Sequence, residues 1–265
     1  RKDVTVGRTI LILLLLVPAG PWFCGCEANR TDFSPGFMWG TATAGFPHEN
    51  GCPAIPAPRC TDTGADWYRF VTAEETVGSS RAHLSGEDPA LSGPGLWELY
   101  PHDLERAAQE LGTNAMRMSI EWSRIFPEPT DGIEGFEALR AAADPAAVEA
   151  YHERLARMRR LGLEPLVVLD QYTLPAWLHD AVGCHQGLGT CTRRGWLDRE
   201  RAVREAGKYA GFVAAEYGRR VDWWVTVHNP FQVMFSGYIW PAAEKSHPPA
   251  VMLAFAEAKQ VLDEL

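Results

Sequence analysis

The sequence predicts an α/β protein built on a parallel sheet with covering helices. Short apolar runs of strand length alternate four times with segments whose apolar residues recur at helical spacing. Two of the helical segments close on a Gly stop. One run, "EPLVVLD", is apolar without alternation, which fits a strand buried on both faces. Two arrangements of such a sheet remain open on this evidence, an open doubly wound sheet and a barrel. No G-x-G-x-x-G follows any strand, so the dinucleotide-binding version of the wound sheet has no support.

The elements follow in order. "FMWGTATAG" reads as a strand opening into a loop. Residues 50–100 read as irregular, with cysteines, prolines and "LSGPGLWELY". "HDLERAAQELG" is the first helix, and "NAMRMSI" the second strand. "PAAVEAYHERLARMRRLGL" is a long helix with Pro145 near its start, where a missing amide donor costs nothing. Its charge-rich face reads as solvated. "EPLVVLD" is the third strand and "DRERAVREAGKYAGFVAAEYG" the third helix. "VDWWVTVH" is the fourth strand and "PAVMLAFAEAKQVLDEL" the fourth helix. The chain shows neither an internal repeat nor a low-complexity linker, so it reads as one domain or part of one. It starts on Arg1 rather than Met and ends on a helix with no cap or stop, so both ends look cut.

A length of 265 residues, 46% of them hydrophobic, suffices for one sizeable core. The net charge of −9 is spread along the chain, with no basic patch of the kind nucleic-acid binding needs. At the start, Arg1, Lys2 and Arg8 flank "TILILLLLV", which falls short of the roughly 20 residues that cross a bilayer. A basic flank, a short apolar run and small residues make a secretory signal over residues 1–26, leaving 27–265 as the folded part. Gly25-Cys26 resembles the cleavage site of a bacterial lipoprotein, which would lipidate Cys26 and anchor the chain to a membrane; Phe23 stands where Leu is usual. A plain signal peptide is the alternative. The expected location is therefore exported: secreted, periplasmic or lipid-anchored at the cell surface. Cys52 with Cys60, and Cys184 with Cys191, each bracket a short loop rich in Pro or Gly, so an oxidising compartment favours two local disulfides. Neither spacing resembles a zinc motif, and no metal is expected.

In parallel α/β sheets, chemistry gathers where strands run out into loops. Here those positions hold Arg117 and Glu121, then Asp170, Gln171 and Tyr172, then His228 and Asn229. Trp39, Trp122, Tyr172, Trp177, Trp224 and Trp240 fall nearby. Aromatic faces beside polar side chains suit sugars, which offer C–H faces and hydroxyl edges. Glu121 with Asp170 as a carboxylate pair, and His228 as a general acid, are further readings. The simpler expectations are that Glu121 pairs with an arginine and that His228 bonds a neighbour.

These segments, "FMWGTATAG", "NAMRMSIEWSRIFP", "LVVLDQYTLPAWL", "RRGWLDRE" and "WWVTVHNPF", resemble glycoside hydrolase family 1, the β-glucosidases and β-galactosidases, in order and in spacing. "ADWYRFV" with "LSGPGLWELY" is similar to the thermophile β-glycosidase branch. The resemblance runs from about Phe33 to the end. It implies an eight-stranded (β/α) TIM barrel, of which about the first four units are present, and no cofactor. The substrate it implies is an O-linked β-glucoside or β-galactoside. It also implies a missing C-terminal half that carries the nucleophile, a Glu in a T-E-N-G-like motif. Half a barrel has two open sheet edges, so the chain alone is expected to be poorly stable or to pair with another half.

The family's retaining mechanism needs two carboxyls about 5–5.5 Å apart, one to attack and one to protonate the leaving oxygen. The W-x-T-x-N-E-P pattern that carries the acid reads here Trp224-Val225-Thr226-Val227-His228-Asn229-Pro230. By resemblance, Asn229 stands at the acid/base position and His228 at the position that holds the sugar 2-hydroxyl. Pro47 replaces a Gln that grips two hydroxyls, and Gln171 replaces a sugar-binding His beside Tyr172. Arg117, which would orient the nucleophile, is retained, as are Glu49, Trp122 and Trp224. A carboxamide delivers no proton, so the expectation is a β-glycosidase-like protein with impaired catalysis. The alternatives are a non-catalytic carbohydrate-binding or scaffold protein at the cell surface, and a fragment without function.

Overall fold

The computed structural model describes residues 33–79, 84–187 and 189–234. The signal segment, Cys26, Trp240 and the fourth helix lie outside them. Of the described residues, Phe33–Phe37 belong to a unit of their own, in which the Phe33 and Phe37 rings lie 4.5 Å apart. The rest of the described chain belongs to a second unit, which holds the sheet.

Four parallel strands stand in chain order: β1 (Gly40–Ala42), β2 (Ala115–Ser119), β3 (Glu164–Asp170) and β4 (Trp223–Val227). Each falls inside its expected segment. Among the described residues the order β1-β2-β3-β4 never reverses, so this sheet shows no switch point of a doubly wound fold and progresses as a barrel does. The helices that cross between strands are α1 (Leu96–Glu105), α2 (Pro145–Arg160) and α3 (Arg199–Tyr217).

Register explains how the two faces of the sheet divide. Arg117 pairs with Leu166, and Leu166 with Trp223, so these three share one face. Met116, Met118, Val167 and Leu169 alternate to the other face, where they join Leu155 and Met158 of α2 and Phe212 and Val213 of α3 in the main core. Leu166 stays half-buried and Trp223 exposed on the first face, while Val167 is fully buried on the second.

The first helix corrects the sequence reading. It begins at Leu96, upstream of the expected "HDLERAAQELG", and carries Pro101 inside it. Pro101 is the sixth residue of the helix and forfeits one amide–carbonyl bond there, yet the helix runs through it, so "LWELYP" is helical rather than irregular. The segment then widens into a π-helical turn, Arg106–Glu110, and stops at Gly112 with φ +65°. α2 starts as expected. Asp144 accepts from the amides of Ala146 (2.8 Å) and Ala147 (3.0 Å), and Pro145 follows it. Asp144→Ala is expected to cost about 1 kcal/mol, read as a lower urea midpoint at unchanged slope. A cost below about 0.3 kcal/mol would show that the cap contributes nothing.

Both expected disulfides are formed, Cys52–Cys60 and Cys184–Cys191. The first closes the loop that follows the short helix Phe46–Glu49, and the second the loop that follows Leu178 and His179.

Candidate active site

The ends of β2, β3 and β4 bring three of the expected residues together. Nη1 of Arg117 lies 2.9 Å from Nδ1 of His228. The Tyr172 ring meets the His228 ring edge-on at 5.5 Å. The His228 amide donates to the Asp170 carbonyl (2.9 Å), which fixes the position of the loop after β4 against the end of β3. A guanidinium nitrogen only donates, so Nδ1 must be the accepting nitrogen and Nε2 carries the hydrogen. Burial, with the Arg117 charge behind it, pushes the His228 pKa below its usual range. His228 is therefore neutral near pH 7, with one N–H to donate and no imidazolium proton to give.

Beside it, Gln171 is buried with Oε1 unbonded among the described residues, and the Nε of Arg117 is likewise unbonded. Buried polar atoms without partners are costly, and they mark positions where a ligand or another part of the chain would complete the bonding. Tyr172 has φ +77°, an unusual conformation for a bulky residue. It is held there by its amide, which donates to Asp170 Oδ1 (3.1 Å), and by its carbonyl, which accepts from Trp67 Nε1 (3.1 Å).

Asn229 has another task in this conformation. Its φ is +51°, a region that Asn enters more readily than Glu. Oδ1 accepts from the Gln232 amide at 3.1 Å, so the side chain caps the turn Pro230–Met234. Pro47 is exposed in the turn Phe46–Glu49.

Two of the expected ligand residues sit elsewhere. Glu49 is fully buried. Arg124 Nε (2.8 Å) and Arg154 Nη1 (2.6 Å) take one oxygen each, with the Tyr151 hydroxyl at 3.3–3.4 Å. That carboxylate is committed to a structural ion cluster. Trp122 is buried too, stacked on Tyr209 (5.0 Å) and edge-on to Trp177 (5.8 Å). Among the other expected aromatics, Trp224 packs against the core and Trp39 is exposed.

The arginine expected for Glu121 is not paired with it among the described residues. Both nearby guanidiniums go to Glu49, which leaves Glu121 with hydroxyls: Ser119 Oγ at 2.9 Å and Thr173 Oγ1 at 2.5 Å. Gly45 lies so close that a Cβ on it would sit 2.0 Å from Glu121 Oε1. Burial first, then the Glu49 charge, push the Glu121 carboxyl up to about 8. Burial pushes Asp170 up to about 7. Glu121 bonds Ser119 and Thr173 while Asp170 Oδ1 accepts from the Tyr172 amide, so the two carboxyls share no hydrogen bond among the described residues.

These shifts have a consequence for stability. The folded state keeps the Glu121 proton up to about 8, whereas an unfolded carboxyl with the ordinary value of 4.5 has already lost it. Stability therefore falls as pH rises through that window, by roughly 1.4 kcal/mol per pH unit for one such group. Asp170 acts in the same direction between 3.8 and about 7. The urea midpoint of the wild type is expected to drop from pH 5 to pH 8, and Glu121→Gln to flatten that drop. Parallel pH profiles for the two proteins would refute this role for Glu121.

Nothing local in the sequence joins Tyr151, Arg154 and Arg124 into one cluster. A signal was present: Arg154 lies on the same helical stripe as Val148, Tyr151, Leu155 and Met158, all buried.

The sequence profile described as Glycosyl hydrolase family 1 matches residues 29–262. A β-galactosidase of Pyrococcus woesei is 34% identical over 240 residues, 83% of this chain and 45% of that protein. The crystal structure of the β-glycosidase from Thermosphaera aggregans superposes with a TM-score of 0.77 at 28% identity, over 88% of this chain and 52% of that one. The β-glucosidase of Pyrococcus furiosus gives 0.71 at 30% identity, over 87% and 50%. The chain thus spans about half the length of the relatives it matches.

Proposed function

Because this chain belongs to glycosyl hydrolase family 1, we propose that the protein containing it binds β-glycosides at the ends of β2, β3 and β4, and that its hydrolytic chemistry is limited by the absence of a proton donor at the acid/base position. One observation carries the reading: at the acid/base position stands Asn229, whose carboxamide caps a helical turn, and its neighbour His228 is a neutral imidazole. Arg117 has no carboxylate partner among the described residues, which suits a nucleophilic carboxylate arriving from another part of a longer protein.

In such a site, Arg117, His228, Gln171 and Asn229 orient and do not protonate. Arg117 would hold a carboxylate by its guanidinium. His228 Nε2–H and the free Gln171 Oε1 would take sugar hydroxyls. General acid help is worth about 10²–10⁴-fold, so only substrates whose leaving group departs unprotonated would turn over. The two disulfides suit an exported location, secreted, periplasmic or lipid-anchored.

The test is hydrolysis by the longest reading frame containing this chain. A nitrophenyl β-glucoside should be cleaved and an alkyl β-glucoside should not. Cleavage of both would show a proton donor that this reading denies. Cleavage of neither by a folded protein would favour the second reading, a non-catalytic carbohydrate-binding protein. The exposed Pro47, without a side-chain donor at a hydroxyl-gripping position, is the observation on that side.

A further inference from the structure

A separate cleft opens among the loops that follow β1 and β2. The loop 55–64, the segment 123–127 and the first turns of α2 enclose about 480 Å³, within the range of about 300–1,000 Å³ in which small ligands bind. None of its lining residues belongs to the Arg117–His228–Tyr172 cluster.

Its polar groups are fixed in advance. Thr61, Asp62 and Ser123 line it and are all buried. Ser123 Oγ donates to Asp62 Oδ2 (2.6 Å), and the Gly64 amide donates to Asp62 Oδ1 (3.2 Å). Arg124 is held by Glu49 (2.8 Å) and by the Cys60 carbonyl (2.7 Å), with its guanidinium 4.0 Å from the centre of the Trp97 ring. Groups fixed before binding lose little entropy when a ligand arrives. Thr61 Oγ1 is buried without a partner among the described residues, so one hydrogen-bonding group of the lining is unspent.

The walls explain why the space exists. On α2 the lining residues are Ala146, Ala147 and Ala150, which extend no further than Cβ. Opposite stand Ile55, Pro58 and Pro127, apolar and stiff. The charges balance: Asp62 and Asp144 against Arg59 and Arg124. A lining without net charge gives no preference to an ion, and a polar floor penalises a purely apolar guest. Apolar walls around a preset hydrogen-bonding floor match a molecule with C–H faces and hydroxyl edges.

We propose that this cleft is a second, non-catalytic sugar subsite that takes a neutral mono- or disaccharide, independent of whether the strand-end site hydrolyses anything.

The test is a saturation-transfer NMR titration of the longest reading frame with methyl β-D-glucoside and with cellobiose. It is made in a Gln171→Ala background, so that the strand-end site does not dominate. Saturable binding with a Kd on the order of millimolar is expected. Ala150→Phe, which fills the cleft from α2, should weaken it about tenfold or more. Arg59→Ala at the exposed rim should weaken it about threefold and guards against a folding defect in the Phe variant. Glucuronate, an anion, should bind no more tightly than the neutral glucoside. Absence of saturation, equal binding with Ala150→Phe and Arg59→Ala, or tighter binding of glucuronate would each overturn the proposal.

Discussion

Asn229→Glu, made in the longest reading frame containing this chain, is expected to raise cleavage of an alkyl β-glucoside by about 10²–10⁴-fold. That is roughly 3–5 kcal/mol off the barrier. The gain should be confined to substrates with poor leaving groups, because a nitrophenolate departs without a proton. The substitution also has a structural cost. Asn229 sits at φ +51° and caps the Gln232 amide. Glu fits that backbone region less well and lacks the short reach of a cap, so about 1–2 kcal/mol of stability should be lost. Asn229→Asp separates the two effects: it keeps the cap and places a carboxyl one methylene short. If Asn229→Glu folds, cleaves the nitrophenyl substrate and gains nothing on the alkyl one, the acid position has been misidentified.

Glu49→Gln is expected to be the most destabilising single change in the described chain, at about 3–5 kcal/mol. Glu49 is fully buried and is the carboxylate that both Arg124 and Arg154 reach. Gln removes the charge and leaves two buried guanidiniums without their ion-pair partner. Arg154 has little else to fall back on. Its Nε and Nη2 have no hydrogen-bond partner among the described residues, and its guanidinium carbon lies 5.0–5.3 Å from the ring centres of Trp97, Tyr100 and Tyr151. Ring faces attract a cation, but at about 0.5–2 kcal/mol they do not replace a carboxylate. Arg154→Met should recover part of the loss when combined with Glu49→Gln, because the double variant buries one charge fewer. The measurement is a double-mutant cycle on urea midpoints, and additive losses would mean that the pair is not coupled.

The two changes also separate the regions that the sequence had merged. Glu49 and Trp122 lie in motifs that resemble the family's sugar-binding segments, and both were expected to meet a ligand. The structure seats them in the ion cluster and in the aromatic core. Gln171, Tyr172, His228 and Arg117 do gather at the strand ends, where alternation and strand order put them.

The sequence by itself determined the class of the fold, the four strands, the three described helices of the crossovers, the two disulfides and the family. Each of these is local or periodic. A strand or helix shows itself by which residues recur on one face, and a disulfide between cysteines seven or eight positions apart closes a loop too short to leave many alternatives. The start of α1 was illegible because Pro101 reads as a stop, although the helix runs through it.

Tertiary structure alone decided which charges meet. Glu49 and Glu121 are both acidic residues at loop starts, with arginines available to either. Glu49 reaches Arg124 and Arg154 across separations of 75 and 105 residues, and Glu121 is left to Ser119 and Thr173. Pairing energy depends on distance and burial, and neither is written in a linear pattern. The same holds for His228: nothing in "TVHNP" states that a guanidinium 111 positions away lies on its Nδ1 and sets its tautomer.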